Sequence, residues 1–360
     1  MSRVYRAGDR DVAVAEIRAR LLHIGFPVES DDPEYFDDRV LEAVRGFQQA
    51  RGLAVDGVIG PDTLKHLEEA KWRLGDRPLL YSPGHLLVGD DVVSLQQRLT
   101  SMGFDAGKVD GIFGVRTEHA LKEFQRSVGE KADGIAGSAT FDSLHRLTRT
   151  VSGGHAEKLR QSVLLDDLRT GIADKTIVLD PGHGGESDPG VVAGDAVEAE
   201  VTAAIADRIK GRLTALGATV VLTRPLINPR SPSEAQRAQL ANEVEADLVV
   251  SIHCDAATSE AAAGVAAFHY GAPGRGWSHA GQRAAGRVLS ALLNETGAAD
   301  CHVHGRTWDV LRLTRATAIR VEVGYLTNPV EAAALRDPAY QDKVAAGIAS
   351  GIAKFFEPAA

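Results

Sequence analysis

The feature that most constrains this chain is a pattern that occurs twice before residue 150. VAVAEIRARLLHIGF at 12–26 matches the stretch that ends SLQQRLTSMGF at residue 104. Ile17 pairs with Leu95, Arg20 with Arg98, Leu21 with Leu99, and Gly25-Phe26 with Gly103-Phe104. A second block, VLEAVRGFQQARGLAVDGVIGPDTLKHL from Val40, matches TEHALKEFQRSVGEKADGIAGSATFDSL from Thr117. Its spacing is one residue shorter, so a single insertion or deletion lies in the loop between the blocks. Each copy is then one supersecondary unit.

Within a copy the apolar spacing predicts three short helices. Val14, Ile17, Leu21 and Ile24 share one face of the first, which stops at Gly25. Val40, Val44 and Phe47 share a face of the second. Asp56-Gly57 and Asp133-Gly134 are turns, and Pro61 opens a third helix. Bundles of roughly 60 residues sit near the lower limit for independent folding. The copies resemble the three-helix peptidoglycan-binding module of bacterial cell-wall hydrolases. The likeness is carried by V-x-x-L-Q-x-x-L-x-x-x-G-F at Val92–Phe104, D-G-I-F-G at Asp110–Gly114 and F-Q-x-x-x-G-x-x-x-D-G from Phe124. The first copy is degenerate: Pro33-Glu34-Tyr35-Phe36 stands where the second has Asp110-Gly111-Ile112-Phe113. On the residues alone, two mere docking bundles are the alternative.

The chain has 360 residues, enough for two or three domains. A net charge of -9 argues against a nucleic-acid surface, which needs a basic patch. Two cysteines, Cys254 and Cys301, are too few for a disulfide framework and read as reduced thiols, with a single bridge left open. No apolar run of about 18 residues predicts a membrane span. The N-terminal stretch lacks the apolar core of a signal peptide, so the expected compartment is the cytoplasm, with the cell wall reached only by an unrecognised route.

After a Ser152-Gly153-Gly154 joint and a linker helix expected over 156–168, the pattern turns to alternating strands and helices. TIVLD at 176–180, ATVVLT at 218–223, DLVVSIH at 247–253, GVAAFHY at 264–270 and AIRVEV at 318–323 read as strands. Helices are expected over 198–216, 233–244, 281–295 and 340–356. This order predicts an α/β domain with a mostly parallel central sheet flanked by helices. The expected domains are 1–73 and 79–150 for the two all-α modules, 151–174 for the linker, and 175–360 for the α/β domain.

Ligand sites of such sheets gather at the carboxyl ends of the strands. His183 follows the first strand, His253 ends another, Glu322 lies within or near the end of AIRVEV, and Glu198 opens a helix. Two imidazoles and a carboxylate suit a catalytic zinc with a fourth position for water, and a second carboxylate then handles protons. Each has a duller reading: a turn histidine, a helix-start carboxylate favoured by the dipole, a strand-end histidine. Glu322 is the exception, because a carboxylate inside an apolar run is costly unless it is paired or works at a site. His269, His279, His302 and His304 lack such a setting and read as surface or structural.

Asp180-Pro181-Gly182-His183-Gly184-Gly185, Glu198-x-x-Val201, Ser251-Ile252-His253-Cys254-Asp255-Ala256 and Val321-Glu322-Val323-Gly324-Tyr325-Leu326-Thr327-Asn328 stand in order. Together they resemble the zinc-dependent N-acetylmuramoyl-L-alanine amidase family of the amidase-3 type, over residues 175–356. The resemblance implies Zn2+ as cofactor, His183, Glu198 and His253 as its ligands, Glu322 as the catalytic glutamate, and peptidoglycan or muropeptides as substrate. Two departures, Ala199-Glu200 after the ligand glutamate and Cys254 in place of a smaller residue, remove no metal-binding atom. The layout is also similar to a group of actinobacterial amidase-like regulators. That implies an alternative: a cytoplasmic regulator that binds wall precursors or a cell-wall biosynthesis protein. Such a regulator has no need of all four residues.

Overall fold

The computed structural model describes residues 4–29, 32–148, 163, 168–226, 231–272 and 276–358; the linker helix expected over 156–168 lies largely outside them. The chain divides into two compact units, Met1–Leu159 with Gly271–Trp277, and Arg160–Tyr270 with Ser278–Ala360.

In the first unit each repeat forms three helices. These are α1 (Val12–His23), α2 (Asp38–Arg51) and α3 (Pro61–Glu69), then α4 (Asp90–Ser101), α5 (Val115–Ser127) and α6 (Ser138–Thr148). Asp11 and Asp37 cap α1 and α2 by accepting from Ala13 N and Val40 N, and Pro61 begins α3. Each repeat has its own core, around Val14, Leu21, Phe36, Val44 and Phe47 in one and Leu95, Leu99, Phe113, Leu121 and Phe124 in the other.

Three buried glutamines join the helices to the turns that follow. Gln96 Nε2 donates to Asp110 Oδ1 (3.0 Å), Ile112 O (3.1 Å) and Thr117 Oγ1 (3.1 Å), while Gly111 N donates to its Oε1 (2.8 Å). Gln48 does the same with Asp56, Val58, Thr63 and Gly57, and Gln125 with Asp133, Ile135, Thr140 and Gly134. At the fourth equivalent place the first repeat has Arg18, which donates to Tyr35 O (2.7 Å) and pairs with Asp37 (2.8 Å). The Asp-Gly turn and its glutamine partner are missing there together. This is the physical content of the degeneracy seen in the sequence.

The second unit is a six-stranded sheet of order β4-β1-β5-β8-β6-β7. Its strands are β1 (Thr176–Pro181), β4 (Thr219–Leu222), β5 (Leu248–Asp255), β6 (Val265–Tyr270), β7 (Asp300–Arg306) and β8 (Thr317–Tyr325); β2 (Val192–Ala193) and β3 (Ala196–Val197) form a small separate hairpin. All pairings in the large sheet are parallel except β6 with β8. One face packs on α7 (Glu198–Ala215), α9 (His279–Thr296) and α12 (Pro338–Phe356) through Ile205, Ile209, Val288, Leu292, Ile348 and Ile352. The other packs on α8 (Glu234–Glu243) and α10 (Asp309–Leu313). A further helix, α11 (Pro329–Arg336), follows β8. The central strand β5 is buried along nearly its whole length, as expected for a strand covered on both faces.

Five elements were not foreseen: the short strands β2 and β3, and β7, α10 and α11. β7 reads DCHVHGR, with polar residues and a glycine that carry little strand propensity, and it forms only as an edge strand on β6. Both cysteines are free, Cys254 buried and Cys301 partly so. No helix among the described residues is long and apolar enough to cross a membrane.

Candidate metal centre

The site lies at the carboxyl ends of β1, β5 and β8. β1 ends at Asp180-Pro181, and the chain then turns through Gly182 into His183, which has a left-handed φ of 55°. The turn is held from beneath by two arginines. Arg237 donates to Asp180 Oδ1 (2.5 Å), Pro181 O (2.9 Å) and His183 O (3.0 Å). Arg224 donates to Pro181 O (2.9 Å), Gly182 O (3.1 Å) and Ala199 O (2.8 Å), so it ties the turn to the first residues of α7. Asp180 also accepts from Ser251 Oγ (2.6 Å) and Thr223 Oγ1 (2.5 Å). Burial works against its charge, but Arg237 and the two hydroxyls prevail and hold its pKa below the usual carboxylate value.

His183, Glu198 and His253 each offer one ligand atom, and these atoms lie within 4.8 Å of one another. His183 Nε2 is 3.4 Å from Glu198 Oε2, and His253 Nδ1 is 2.9 Å from Glu198 Oε1. A tetrahedral ion about 2.0–2.1 Å from each donor sets those donors about 3.3 Å apart, close to the two separations seen here, so the set could hold a divalent metal. Two glycines permit the convergence. A Cβ on Gly182 would lie 2.4 Å from His253 Cε1, and one on Gly190 would lie 2.5 Å from Glu198 Oε2 and 2.6 Å from His183 Cδ2.

The protonation states suit metal binding. Burial tends to raise the Glu198 pKa, but hydrogen bonding and charge from His253, with the Val191 amide (2.9 Å), bring it down to about 2. The Cys254 amide also donates to it (3.0 Å). His253 is pushed down to about 4, first by burial and then by Arg320, so its imidazole is neutral at pH 7. His183 presents Nε2 because Nδ1 is engaged by Asp188 (2.6 Å), the carboxylate–histidine pairing that fixes a ring for metal.

Glu322 stands in register with His253 on the neighbouring strand and is 4% exposed. Arg320 Nε (2.7 Å) and Nη2 (2.6 Å) both reach its Oε1, while Oε2 is buried without a hydrogen-bond partner among the described residues. Burial lifts its pKa to about 7, with Arg320 opposing and Asp255 and Glu198 adding to the rise. All four residues singled out from the sequence are therefore brought to one end of the sheet. Sequence reasoning missed Asp188, Arg224, Arg237 and Arg320. Only Arg320 had a legible signal: it lies two residues before Glu322, on the same strand face.

An α/β sheet that gathers three donors able to hold a metal ion, with a buried carboxylate in register beside one of them, is the arrangement of an α/β hydrolase. The chain belongs to the N-acetylmuramoyl-L-alanine amidase family of the amidase-3 type, whose model matches residues 177–354. A peptidoglycan binding domain model matches residues 10–67 and 88–144. The chain is 42% identical to "N-acetylmuramoyl-L-alanine amidase CwlM" of Mycobacterium tuberculosis (strain ATCC 25618 / H37Rv), over 98% of its own length and 89% of that protein. It is 35% identical to the "Germination-specific N-acetylmuramoyl-L-alanine amidase" of Bacillus subtilis (strain 168), over 51% of this chain and 81% of that protein. Among solved structures, the catalytic domain of CwlV from Bacillus (Paenibacillus) polymyxa var. colistinus is similar, with 30% identity, a TM-score of 0.47, and coverage of 51% of this chain and 99% of that one.

Proposed function

We propose that this protein hydrolyses the amide between the lactyl group of N-acetylmuramic acid and the L-alanine of the stem peptide. His183, Glu198 and His253 would hold a zinc ion, and Glu322 would act as general base. The observation that carries this reading is the convergence of the three donors beside Glu322, whose Oε2 has no hydrogen-bond partner among the described residues. Zinc bound there supplies Lewis acidity, which acidifies a water and polarises the scissile carbonyl.

The protein's own groups account for the rest. Glu198 is ionised and His253 neutral at pH 7, so neither must shed a proton from a charged state before it serves as a donor. Asp188 keeps His183 in the required orientation. Glu322 Oε2 takes the proton of the attacking water and delivers it to the leaving alanine nitrogen, which then departs as a neutral amine. The repeats, which we place at 1–73 and 79–150, would hold peptidoglycan or its fragments for the domain at 175–360. The second repeat, with both of its glutamine-anchored turns, is the better candidate for binding. Retention of the full donor set does not favour a purely regulatory role.

The test is digestion of purified muropeptides with zinc-loaded protein, followed by mass spectrometry. The expected products are a stem peptide with a free L-alanine amino group and a muramic acid with a free lactyl carboxylate. Intact muropeptides, or cleavage only between peptide residues, would overturn the proposal.

A further inference from the structure

We infer that Arg320 is a positioning residue for Glu322, fixing its carboxylate so that one oxygen alone is left for the reaction. The inference rests on the reading of Glu322 as general base and adds the device that aims it.

Residues i and i+2 of a strand share a face, so Arg320 and Glu322 rise from β8 side by side. Register places each in a row across the sheet: Glu322 lies beside His253 on β5 and Ala266 on β6, and Arg320 beside Ser251 and Phe268. Arg320 therefore sits one row below His253, and among the described residues no hydrogen bond or ion pair joins it to His183, Glu198 or His253. Its guanidinium is held from several sides. Cζ lies 4.3 Å from the centroid of the Trp308 ring, and Nη1 is 3.7 Å from Glu234 Oε1. Glu234 is fixed in turn, because its Oε2 accepts from the Val310 amide (3.1 Å). Arg320 thus takes its orientation from the start of α8 and from the segment entering α10, not from Glu322 alone.

The remaining face of the fork is spent on one atom. Nε and Nη2 both converge on Glu322 Oε1, and no hydrogen-bond partner among the described residues reaches Oε2. A glutamate side chain has several rotatable bonds, and a carboxylate held by neither oxygen would swing. Held by Oε1 alone, it has one bound and one free oxygen, in fixed positions. A planar guanidinium carries the Nε and Nη2 donors on one rigid edge, where a single acceptor oxygen can share both, whereas a lysine ammonium acts as a point charge on a flexible stem. A misplacement of about 1 Å in a reacting group costs on the order of 10²-fold in rate.

The experiment compares wild type with Arg320→Met and Arg320→Lys. In Arg320→Met we expect kcat to fall about 10–100-fold, with KM within about two-fold and zinc stoichiometry unchanged. Arg320→Lys should recover part of the rate. A second readout needs no activity: in crystals of the metal-free proteins, the Glu322 carboxylate of Arg320→Met should leave its wild-type position. Wild-type kcat in both variants, or an unmoved carboxylate in Arg320→Met, would overturn the inference. If Arg320→Met does not fold, Arg320→Lys decides, and an unchanged kcat there overturns it. A wild-type protein that leaves the muramoyl amide intact would instead overturn the proposed function, and the crystallographic comparison would still judge Arg320.

Discussion

His253 and Glu322 face each other across two parallel strands, in register at the carboxyl ends of β5 and β8. Sixty-nine residues of sequence numbering separate them, yet the sheet sets them a single strand spacing apart, about 4.8 Å. The pairing puts a metal-competent imidazole beside a buried carboxylate. Glu198 closes the pocket from the first turn of α7, with His183 on its far oxygen.

Replacing Glu322 by Gln should leave the metal site intact and abolish most turnover. The variant keeps zinc at the wild-type stoichiometry by elemental analysis, while kcat falls about 10²–10⁴-fold, the usual worth of general acid–base assistance. Wild-type kcat in this variant would show that the base is another group.

Asp188→Asn should weaken metal binding without removing a donor. Asp188 fixes the His183 ring through Nδ1, and loss of such a partner typically costs about 10–100-fold in metal affinity. Competition against a chromogenic chelator measures this directly, and an unchanged dissociation constant would refute the role.

Arg237→Met should destabilise the α/β domain by about 3–5 kcal/mol, because it leaves Asp180 charged and buried with only hydroxyl partners. Asp180→Asn added to Arg237→Met should restore part of that loss. Denaturant unfolding of the four proteins of this cycle gives the coupling, and strict additivity would contradict it.

For the metal-free protein, stability against pH should reflect opposing shifts. His253 drops from 6.5 to about 4 on folding, so its contribution is full above pH 6.5 and is lost as pH falls toward 4. Glu198 drops from 4.5 to about 2, and its contribution is lost as pH falls from 4.5 toward 2. Glu322 rises from 4.5 to about 7, which favours the folded state most below pH 4.5 and progressively less as pH climbs through 7. Between pH 4.5 and 7 the His253 gain and the Glu322 loss therefore oppose each other. Glu322→Gln removes the loss, so unfolding midpoints of that variant should climb more steeply across this interval than those of wild type. Parallel curves would refute the shift assigned to Glu322.

Gln125→Leu should destabilise the second repeat. The buried Gly134 amide is left unsatisfied, at a cost of about 1–3 kcal/mol, and Asp133, the Ile135 carbonyl and Thr140 each lose one hydrogen bond. Amide hydrogen exchange at Gly134 and along α6 reads the effect locally, and unchanged protection there would contradict it.

Much of the site was legible because its residues break local rules. Glu322 stood out as an acid in the apolar run AIRVEV, and the expectation that it must be paired or at work is met on one oxygen by Arg320, while the second has no hydrogen-bond partner among the described residues. Asp188 was not legible. GESDP reads as any polar loop, and its carboxylate gains meaning only once His183 turns back onto it. Arg224 and Arg237 look like ordinary helix and loop charges in the sequence, yet both are almost completely buried. β7 was missed because an edge strand borrows its hydrogen bonds from a neighbour and needs little propensity of its own.

The sequence by itself determined the doubled three-helix unit, the alternation of strands and helices, and the four motifs with their order along the chain. Those features are local: periodicity, turn chemistry and residue type are written within a few positions of one another. Only the tertiary structure decided that β5 and β8 pair in the register that sets His253 beside Glu322, that Arg237 reaches Asp180 across the loop, and that Arg320 engages a single oxygen of Glu322. Register and buried charge pairing are settled by which groups lose water together when distant segments pack, and no short stretch of sequence contains that information.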